Sequence, residues 1–285
     1  MKHATKKIIS LSLSEKVLVS SYYIDFSESD NKDVIIEQMI SQIKENPNFV
    51  LGDFKNEKSL AISLKRKVFG DTKTLALKSI IPSVEEITKI YNEAFIKSFK
   101  ALPINGNIDI YILPMCNEGA SKDLDGVNGF VVDGVNVFYL LIDTKNPKWR
   151  TSLTETVPHE YAHMVYTSKF EWNSILDGIV NEGLAEHFRE YITEGNQTPW
   201  SIALKKNDAL RELNKLPKTL LNKFIDESNV DLYVSYFFGT TKDIPNWYGY
   251  SLGYWLIDEI IDKHNITLFE LFKKNPKEIL KLFKQ

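Results

Sequence analysis

Two histidines and a glutamate in the segment His159-Glu160-Tyr161-Ala162-His163 have the residue types and the spacing of a metal site. Residues four apart on a helix lie on the same face, so both imidazoles can reach one ion. Glu160 would then lie beside the metal, where its carboxylate could hold a water molecule bound to the ion. The segment alone also fits two ordinary helix histidines with a solvated neighbour, so it indicates a metal site without establishing one.

A third ligand is needed, because catalytic zinc sites usually have three protein ligands. Glu182, in Asn181-Glu182-Gly183-Leu184-Ala185, follows His163 with eighteen residues between them. Residues 168–173 have the composition of a loop between two helices, and antiparallel helices would return Glu182 to the histidines. The sequence therefore predicts His159, His163 and Glu182 as ligands of one zinc ion per chain. Nickel, cobalt or manganese could replace zinc in vitro.

This constellation resembles a known family. His-Glu-Tyr-Ala-His, eighteen residues and Asn-Glu-Gly-Leu-Ala are similar to the glutamate-ligand zincins (gluzincins), especially the metal core of the M1 aminopeptidase type and the shorter YjaZ-like predicted zinc proteases. The resemblance covers roughly residues 129–275. It implies a zincin-like fold and zinc-dependent hydrolysis of peptide bonds, with Glu160 as the catalytic glutamate acting on a metal-activated water.

A tyrosine motif extends the resemblance. The segment Trp247-Tyr248-Gly249-Tyr250-Ser251-Leu252-Gly253-Tyr254 resembles the Tyr-x-x-Gly that opens a helix in the M1-type fold. On that match Tyr250 directs its hydroxyl at the substrate carbonyl, with Tyr248 and Tyr254 as alternatives.

One departure limits the resemblance. The M1 aminopeptidases carry a Gly-x-Met-Glu-Asn segment that binds the substrate amino terminus, and residues 128–134 contain no glutamate at that place. The resemblance therefore implies a peptidase and leaves open whether it acts as an endopeptidase or an exopeptidase.

Hydrophobic patterning predicts an α+β fold, with a mostly antiparallel sheet followed by a helical half. The strand-like runs are residues 16–26, 108–113, 130–132 and 135–142, with Asp133-Gly134 as a tight hairpin turn. The helical runs are residues 33–43, residues 82–100 with Ser83 and Glu86 at capping-box spacing, and the chain from Thr151 onward, with breaks near Pro199, Pro217, Pro245 and Pro276. We expect a mixed N-terminal region of unknown role at residues 1–80 and a zincin-like domain at residues 81–285.

The run at residues 135–142 has two interpretations. It is most simply a core strand. If it is the sheet edge that faces the cleft, as the gluzincin resemblance implies, its backbone could pair with an extended peptide substrate.

Composition excludes several classes of protein. The net charge of −3 comes from interspersed acidic and basic residues, which offers no concentrated positive field for nucleic acid. Cys116 is the only cysteine, so no intramolecular disulfide can form, and we expect it to be a small buried hydrophobe. We find no signal peptide pattern and no apolar stretch of about 20 residues, so we expect a cytoplasmic protein without a membrane partner. A peptide or protein substrate is the expected partner, and the oligomeric state is not readable.

Four further residues near the motifs have possible structural or functional roles. Glu186 could bond a ligand histidine or lie on the helix surface. His187 and His264 are expected to be structural, and Pro158 marks either the first turn of a helix or a kink. The competing functions are a catalytically silent binding or regulatory protein on a zincin scaffold, which the intact Glu160 disfavours, and an interaction module without metal.

Overall fold

A computed structural model describes residues 6–26, 31–52, 54–72, 79–132, 134–225, 229–239 and 244–285. The chain divides into two compact units, Met1–Glu160 and Tyr161–Gln285. The division falls inside one continuous helix, Trp149–Thr167. The predicted division near residue 80 stays a prediction. None of the helices in the described ranges is both long and apolar enough to cross a bilayer.

The first unit is built on a five-stranded mixed sheet. Its strands are β1 (Lys6–Ser14), β2 (Val17–Ile24), β3 (Ile108–Pro114), β4 (Val127–Val132) and β5 (Val137–Ile142), in the spatial order β1-β2-β3-β5-β4. β1 with β2 and β4 with β5 pair antiparallel, whereas β2 with β3 and β3 with β5 pair parallel. The sheet was predicted to be mostly antiparallel, but only its two outer strand pairs are. The two inner pairs are parallel, because long helical crossovers join their strands.

The position of β5 corrects one expectation. β5 lies between β3 and β4, so residues 135–142 do not form the edge of the sheet. The strand at that edge is β4. After β4 the chain turns at Gly134, with φ of 74°, and returns along it as β5. Asp133, the other residue of the predicted hairpin turn, lies outside the described residues.

The helices of the first unit are α1 (Lys32–Lys44), α2 (Glu57–Phe69), α3 (Val84–Ala101), α4 (Glu118–Asp123) and α5 (Trp149–Thr167), the last crossing the division. An aromatic row crosses four strands on the sheet face that packs against α1 and α2, with ring centroids 5.2, 5.0 and 4.7 Å apart, in the order Tyr22, Tyr111, Tyr139 and Phe130. Phe138, next to Tyr139 on β5, stacks instead on Phe95 of α3 at 6.0 Å. Successive strand residues point to opposite faces, so helices cover both faces of the sheet.

The start of α3 differs from its prediction. Ser83 ends a 3-10 turn at Ile81–Ser83 and makes no side-chain cap. Glu86 does not reach back to it. Instead Arg150 of α5 donates two hydrogen bonds to the Glu86 carboxylate, at 2.5 and 2.8 Å. The capping-box prediction is therefore wrong, because a bidentate ion pair between α3 and α5 engages the glutamate.

The second unit is helical, as predicted. After the end of α5 its helices are α6 (Ile175–Thr193), α7 (Lys206–Lys215), α8 (Lys218–Leu221), α9 (Val230–Phe238), α10 (Tyr248–His264), α11 (Leu268–Leu271) and α12 (Pro276–Lys284). α6 and α10 cross at Gly183 and Gly253. A Cβ on Gly183 would lie 2.2 Å from the Gly253 carbonyl oxygen, and a Cβ on Gly253 would lie 2.0 Å from the Ile179 oxygen. Only glycine lets the two backbones approach this closely.

Candidate metal centre

His159 and His163 lie one turn apart on α5, as their spacing predicts. The helix begins at Trp149, so Pro158 lies well inside it and not in its first turn. Proline has no N–H to donate, so the turn just before the histidines lacks one helical hydrogen bond. His159 is partly exposed and His163 is buried.

Glu182 joins the two histidines. α6 begins after Ser174, whose hydroxyl accepts a hydrogen bond from the Asp177 amide at 3.2 Å. Glu182 lies two turns further along α6 and is 3% exposed. One ligand atom from each of His159, His163 and Glu182 lies within 4.8 Å of the others, and His163 Nε2 is 3.4 Å from Glu182 Oε2. The three predicted ligands therefore form one group that could hold a metal ion.

Asn181 orients the His163 ring. Its amide oxygen lies 2.9 Å from His163 Nδ1, in the buried part of the helix pair. An amide oxygen only accepts, so Nδ1 carries the proton and Nε2 keeps its lone pair. That lone pair faces the Glu182 carboxylate, and two acceptors 3.4 Å apart are stabilised by a cation that contacts both. Two imidazoles and a carboxylate suit zinc, so the residues present fit the ion.

Glu160 is also buried, with 6% of its surface exposed. Its side chain packs on the backbone of β4: a Cβ on Gly129 would lie 2.3 Å from Glu160 Cγ and 2.5 Å from Oε1. The carboxylate thus sits directly against the edge strand of the sheet. A side chain at residue 129 would exclude it from this place.

The three tyrosines of the predicted oxyanion motif lie at the start of α10. The Tyr248 hydroxyl donates to Glu212 at 3.4 Å, and the Tyr254 hydroxyl donates to Glu190 at 3.2 Å. Burial raises the pKa of Tyr254 to about 12. Tyr250 packs its ring against Phe237 and Trp247, at centroid distances of 5.8 and 5.5 Å. The role of Tyr250 stays a prediction.

Glu186 is fully buried, so its interpretation as helix surface is wrong. Its carboxylate accepts hydrogen bonds from four side chains, namely Arg189, Thr198, Trp200 and Ser201. Three of these donors belong to the segment after α6. Glu186 therefore fastens that segment to the helix that carries Glu182.

The remaining histidines of the second unit lie outside the ligand group. His187 stacks on the Tyr254 ring at 4.4 Å, and its Nε2 lies 3.0 Å from the Tyr254 carbonyl oxygen. His264 Nε2 lies 2.9 Å from the Leu282 carbonyl oxygen. Both contacts support the structural reading of these residues.

No role was assigned from the sequence to three residues that contact either the ligand group or Glu160. They are Asn181, Gly129 and Trp172, whose indole lies 5.3 Å from the His163 ring. Asn181 had a signal, because it adjoins Glu182 on the same helix. The contacts of Gly129 and Trp172 depend on tertiary packing that no local pattern encodes.

A search of curated proteins finds no match to the chain. The profile of one protein family matches residues 87–281, which is more than half of the chain and includes α5, α6 and α10. Its description is "Predicted Zn-dependent protease (DUF2268)". The match agrees with the His159, His163 and Glu182 group, and the chain belongs to the DUF2268 family of predicted zinc-dependent proteases.

Proposed function

We propose that the protein hydrolyses peptide bonds in a zinc-dependent reaction. The observation that carries the proposal is the convergence of His159, His163 and Glu182 within 4.8 Å. The gluzincin motif and the family description support the same reaction class. Three protein ligands leave one position of a tetrahedral zinc ion for water or substrate, as in catalytic rather than structural zinc sites.

The chain would hold the ion through two buried ligands, His163 and Glu182, and one partly exposed ligand, His159. Asn181 bonds the ring of His163, and Glu182 is buried beside it. When bound, a zinc ion lowers the pKa of water toward neutrality and polarises the scissile carbonyl. Because His159 is partly exposed, an ion held by these three residues would be accessible to substrate.

Glu160 is the proposed general base. It follows His159 on α5 and lies outside the group of His159, His163 and Glu182. It accepts a proton from the attacking water and delivers it to the leaving amine nitrogen, a role worth roughly 10²–10⁴ in rate. Gly129 has no side chain, which lets the Glu160 carboxylate pack directly on the backbone of β4. Tyr250 is the proposed donor to the charged carbonyl oxygen.

The edge strand β4 offers a place for an extended peptide. The Asp143 amide donates to the Gly126 oxygen on the β4 side, whereas the Asn136 oxygen accepts from the Asp109 amide on the β3 side. Alternate residues along β5, from Val137 to Asp143, therefore form their backbone hydrogen bonds with β4. Backbone groups alternate in direction along a strand, so the N–H and C=O of Val127, Gly129 and Val131 point to the outer edge. A substrate strand paired there would pass Gly129 and therefore Glu160.

The alternative is a binding protein on a zincin scaffold without catalysis. Such a protein would not need the general base. Here Glu160 is present, buried and seated against a glycine that admits it. This packing favours the enzyme over the silent scaffold.

The test compares the wild type with Glu160→Gln on a mixed peptide library, each protein being loaded with zinc and assayed for metal content. We expect the wild type to cleave peptides and a chelator to stop it. Glu160→Gln should bind zinc equally and lose turnover. Glu85→Gln, the same change at an exposed position of α3, should behave as the wild type. Equal cleavage by Glu160→Gln would refute its role, and the cleavage positions would separate endopeptidase from exopeptidase action.

A further inference from the structure

We infer that aromatic side chains beside His163 form a subsite for a bulky apolar side chain of the peptide substrate. The subsite, here called the aromatic wall, consists of Trp172, Tyr233, Phe237 and Tyr250. This inference rests on the proposed peptidase function, since it names the substrate class that the site selects. All four residues and His163 belong to the second unit.

The aromatic wall is a continuous series of ring contacts. It begins where Trp172 lies 5.3 Å from the His163 ring. Tyr233 follows at 6.1 Å from Trp172, and Phe237 stacks on Tyr233 at 4.2 Å with the rings only 14° from parallel. Phe237 then meets Tyr250 edge to face at 5.8 Å. The series thus connects a predicted metal ligand to the predicted oxyanion tyrosine through apolar surface.

Two glycines fix the middle of the aromatic wall. A Cβ on Gly178 of α6 would lie 2.7 Å from Phe237 and 2.8 Å from Tyr233, and a Cβ on Gly249 of α10 would lie 2.6 Å from Phe237. The rings of α9 are therefore seated on the backbones of the helices that carry Glu182 and Tyr250. A rigid base of this kind holds a subsite in place while substrates exchange.

The exposure of the rings suits a ligand surface. Phe237 is fully buried and forms the base, whereas Trp172, Tyr233 and Tyr250 are each partly exposed. Phe224 is 60% exposed. It forms an isolated β-bridge with Ser174, which places it beside the loop that contains Trp172. Exposed apolar surface next to a reactive site is typical of binding grooves.

The chemistry of the aromatic wall selects its ligand. The three partly exposed rings present large apolar faces, and they rest on the buried ring of Phe237. Such faces favour aromatic and branched aliphatic side chains over charged ones. The wall starts at a ligand ring, so the side chain it holds belongs to a residue next to the scissile bond. We therefore expect cleavage beside Phe, Tyr, Trp or Leu.

The experiment uses two capped peptides that differ only in having Phe or Ala beside the cleaved bond. For the zinc-loaded wild type we expect kcat/KM to favour the Phe peptide by about tenfold or more. Tyr233→Ala should keep its zinc content and lower kcat/KM for the Phe peptide more than for the Ala peptide, which removes most of this preference. Tyr236→Ala is the matched control, since Tyr236 lies on the same helix but packs on Tyr248, at 5.9 Å.

A binding measurement separates this inference from the proposed function. Zinc-loaded Glu160→Gln is titrated with both peptides by calorimetry, with and without Tyr233→Ala or Trp172→Ala. Tighter binding of the Phe peptide that disappears with Tyr233→Ala supports the aromatic wall, even if the wild type cleaves neither peptide. Equal binding of the two peptides, or a preference that survives both changes, overturns it. Because Trp172→Ala could disturb His163, its zinc content is measured and Tyr233→Ala carries the conclusion.

Discussion

The Glu160 side chain lies against the backbone of Gly129, with Cγ and Oε1 only 2.3 and 2.5 Å from the place of a Cβ at residue 129. Gly129 belongs to β4, and Glu160 belongs to α5. The contact sets the distance between the proposed general base and the sheet edge where we place the substrate. The glycine is therefore part of the geometry of the reaction and not only of the fold.

Gly129→Ala is the first prediction. The new methyl group must displace Glu160 or push β4 away, since a contact below 3 Å cannot be tolerated. A displacement of about 1 Å costs about 10²-fold in rate, so kcat should fall by about that factor while zinc content is unchanged. Gly119→Ala is the control, because its Cβ would meet no atom closer than 3.5 Å. Wild-type kcat in Gly129→Ala would show that the contact does not position the base.

Asn181 leads to a prediction on metal affinity. Its oxygen holds the Nδ1 proton of His163 at 2.9 Å, which directs Nε2 toward Glu182. Loss of such a supporting bond typically weakens metal binding about 10- to 100-fold. Asn181→Ala should show this loss in a competitive zinc titration, and Asn181→Asp, which still accepts the bond, should keep most of the affinity. Asn222→Ala, at an exposed position, should leave zinc affinity unchanged. If Asn181→Ala binds zinc as tightly as the wild type, the orienting role is wrong.

Contacts of the site between residues close in sequence could be predicted from the sequence, whereas contacts between distant residues could not. The face shared by His159 and His163 follows from helix geometry, and the loop before Ser174 returns Glu182 to them over a short distance. The parallel pairing of Val19 with Ile108 joins residues far apart in the chain, so no local pattern specifies it. The same holds for Gly129, which meets Glu160 only after β4 and α5 have packed. Strands and helices were therefore largely predictable, while the strand order was not.

The crossing of α6 and α10 gives a prediction on stability. The backbones of Gly183 and Gly253 touch, and Gly183 follows Glu182 directly. Gly183→Ala or Gly253→Ala must push the helices apart, and overpacking of this kind costs about 1–3 kcal/mol in the free energy of unfolding. Chemical denaturation measures the loss, with Gly119→Ala as the reference. We also expect weaker zinc binding in Gly183→Ala, because Glu182 would move with its helix. Unchanged stability in both variants would contradict the close crossing.

His187 gives a prediction on pH. Burial lowers the pKa of its imidazole below the usual 6.5, since the ring is stacked on Tyr254. As the pH falls through 6.5, His187 therefore becomes protonated in the unfolded chain while it stays neutral in the folded protein. The stabilisation is complete above that pH and is lost as the pH falls through it toward the lowered folded pKa.

The variant His187→Gln isolates this contribution. A neutral side chain that can still donate to the Tyr254 carbonyl should reduce the loss of unfolding free energy below pH 6.5, by up to about 1 kcal/mol per pH unit. Burial raises the pKa of Glu190, which acts in the opposite direction, but both proteins contain this group and it cancels in the comparison. Urea denaturation of chelator-treated protein at several pH values measures the slope. Parallel curves for the wild type and the variant would show that His187 does not titrate between the folded and unfolded states.

Tyr250 gives the last prediction, on the stabilisation of the carbonyl oxygen. Tyr248 and Tyr254 donate their hydroxyl groups to Glu212 and Glu190, so neither is free to turn toward a substrate without breaking a bond. Loss of an oxyanion donor typically lowers kcat by about 10²–10³. Tyr250→Phe should show this loss with little change in KM, because the bond forms only in the transition state.

The matched controls are Tyr248→Phe and Tyr254→Phe, which remove the same oxygen atom from neighbouring positions of α10. They should lower stability through the lost bonds to Glu212 and Glu190 while keeping kcat within a few-fold of the wild type. Steady-state kinetics on one peptide and thermal unfolding of each variant separate the two effects. A fall in kcat in Tyr248→Phe or Tyr254→Phe but not in Tyr250→Phe would move the oxyanion role to the rival. A fall in none of them would leave the ion as the sole partner of the carbonyl oxygen.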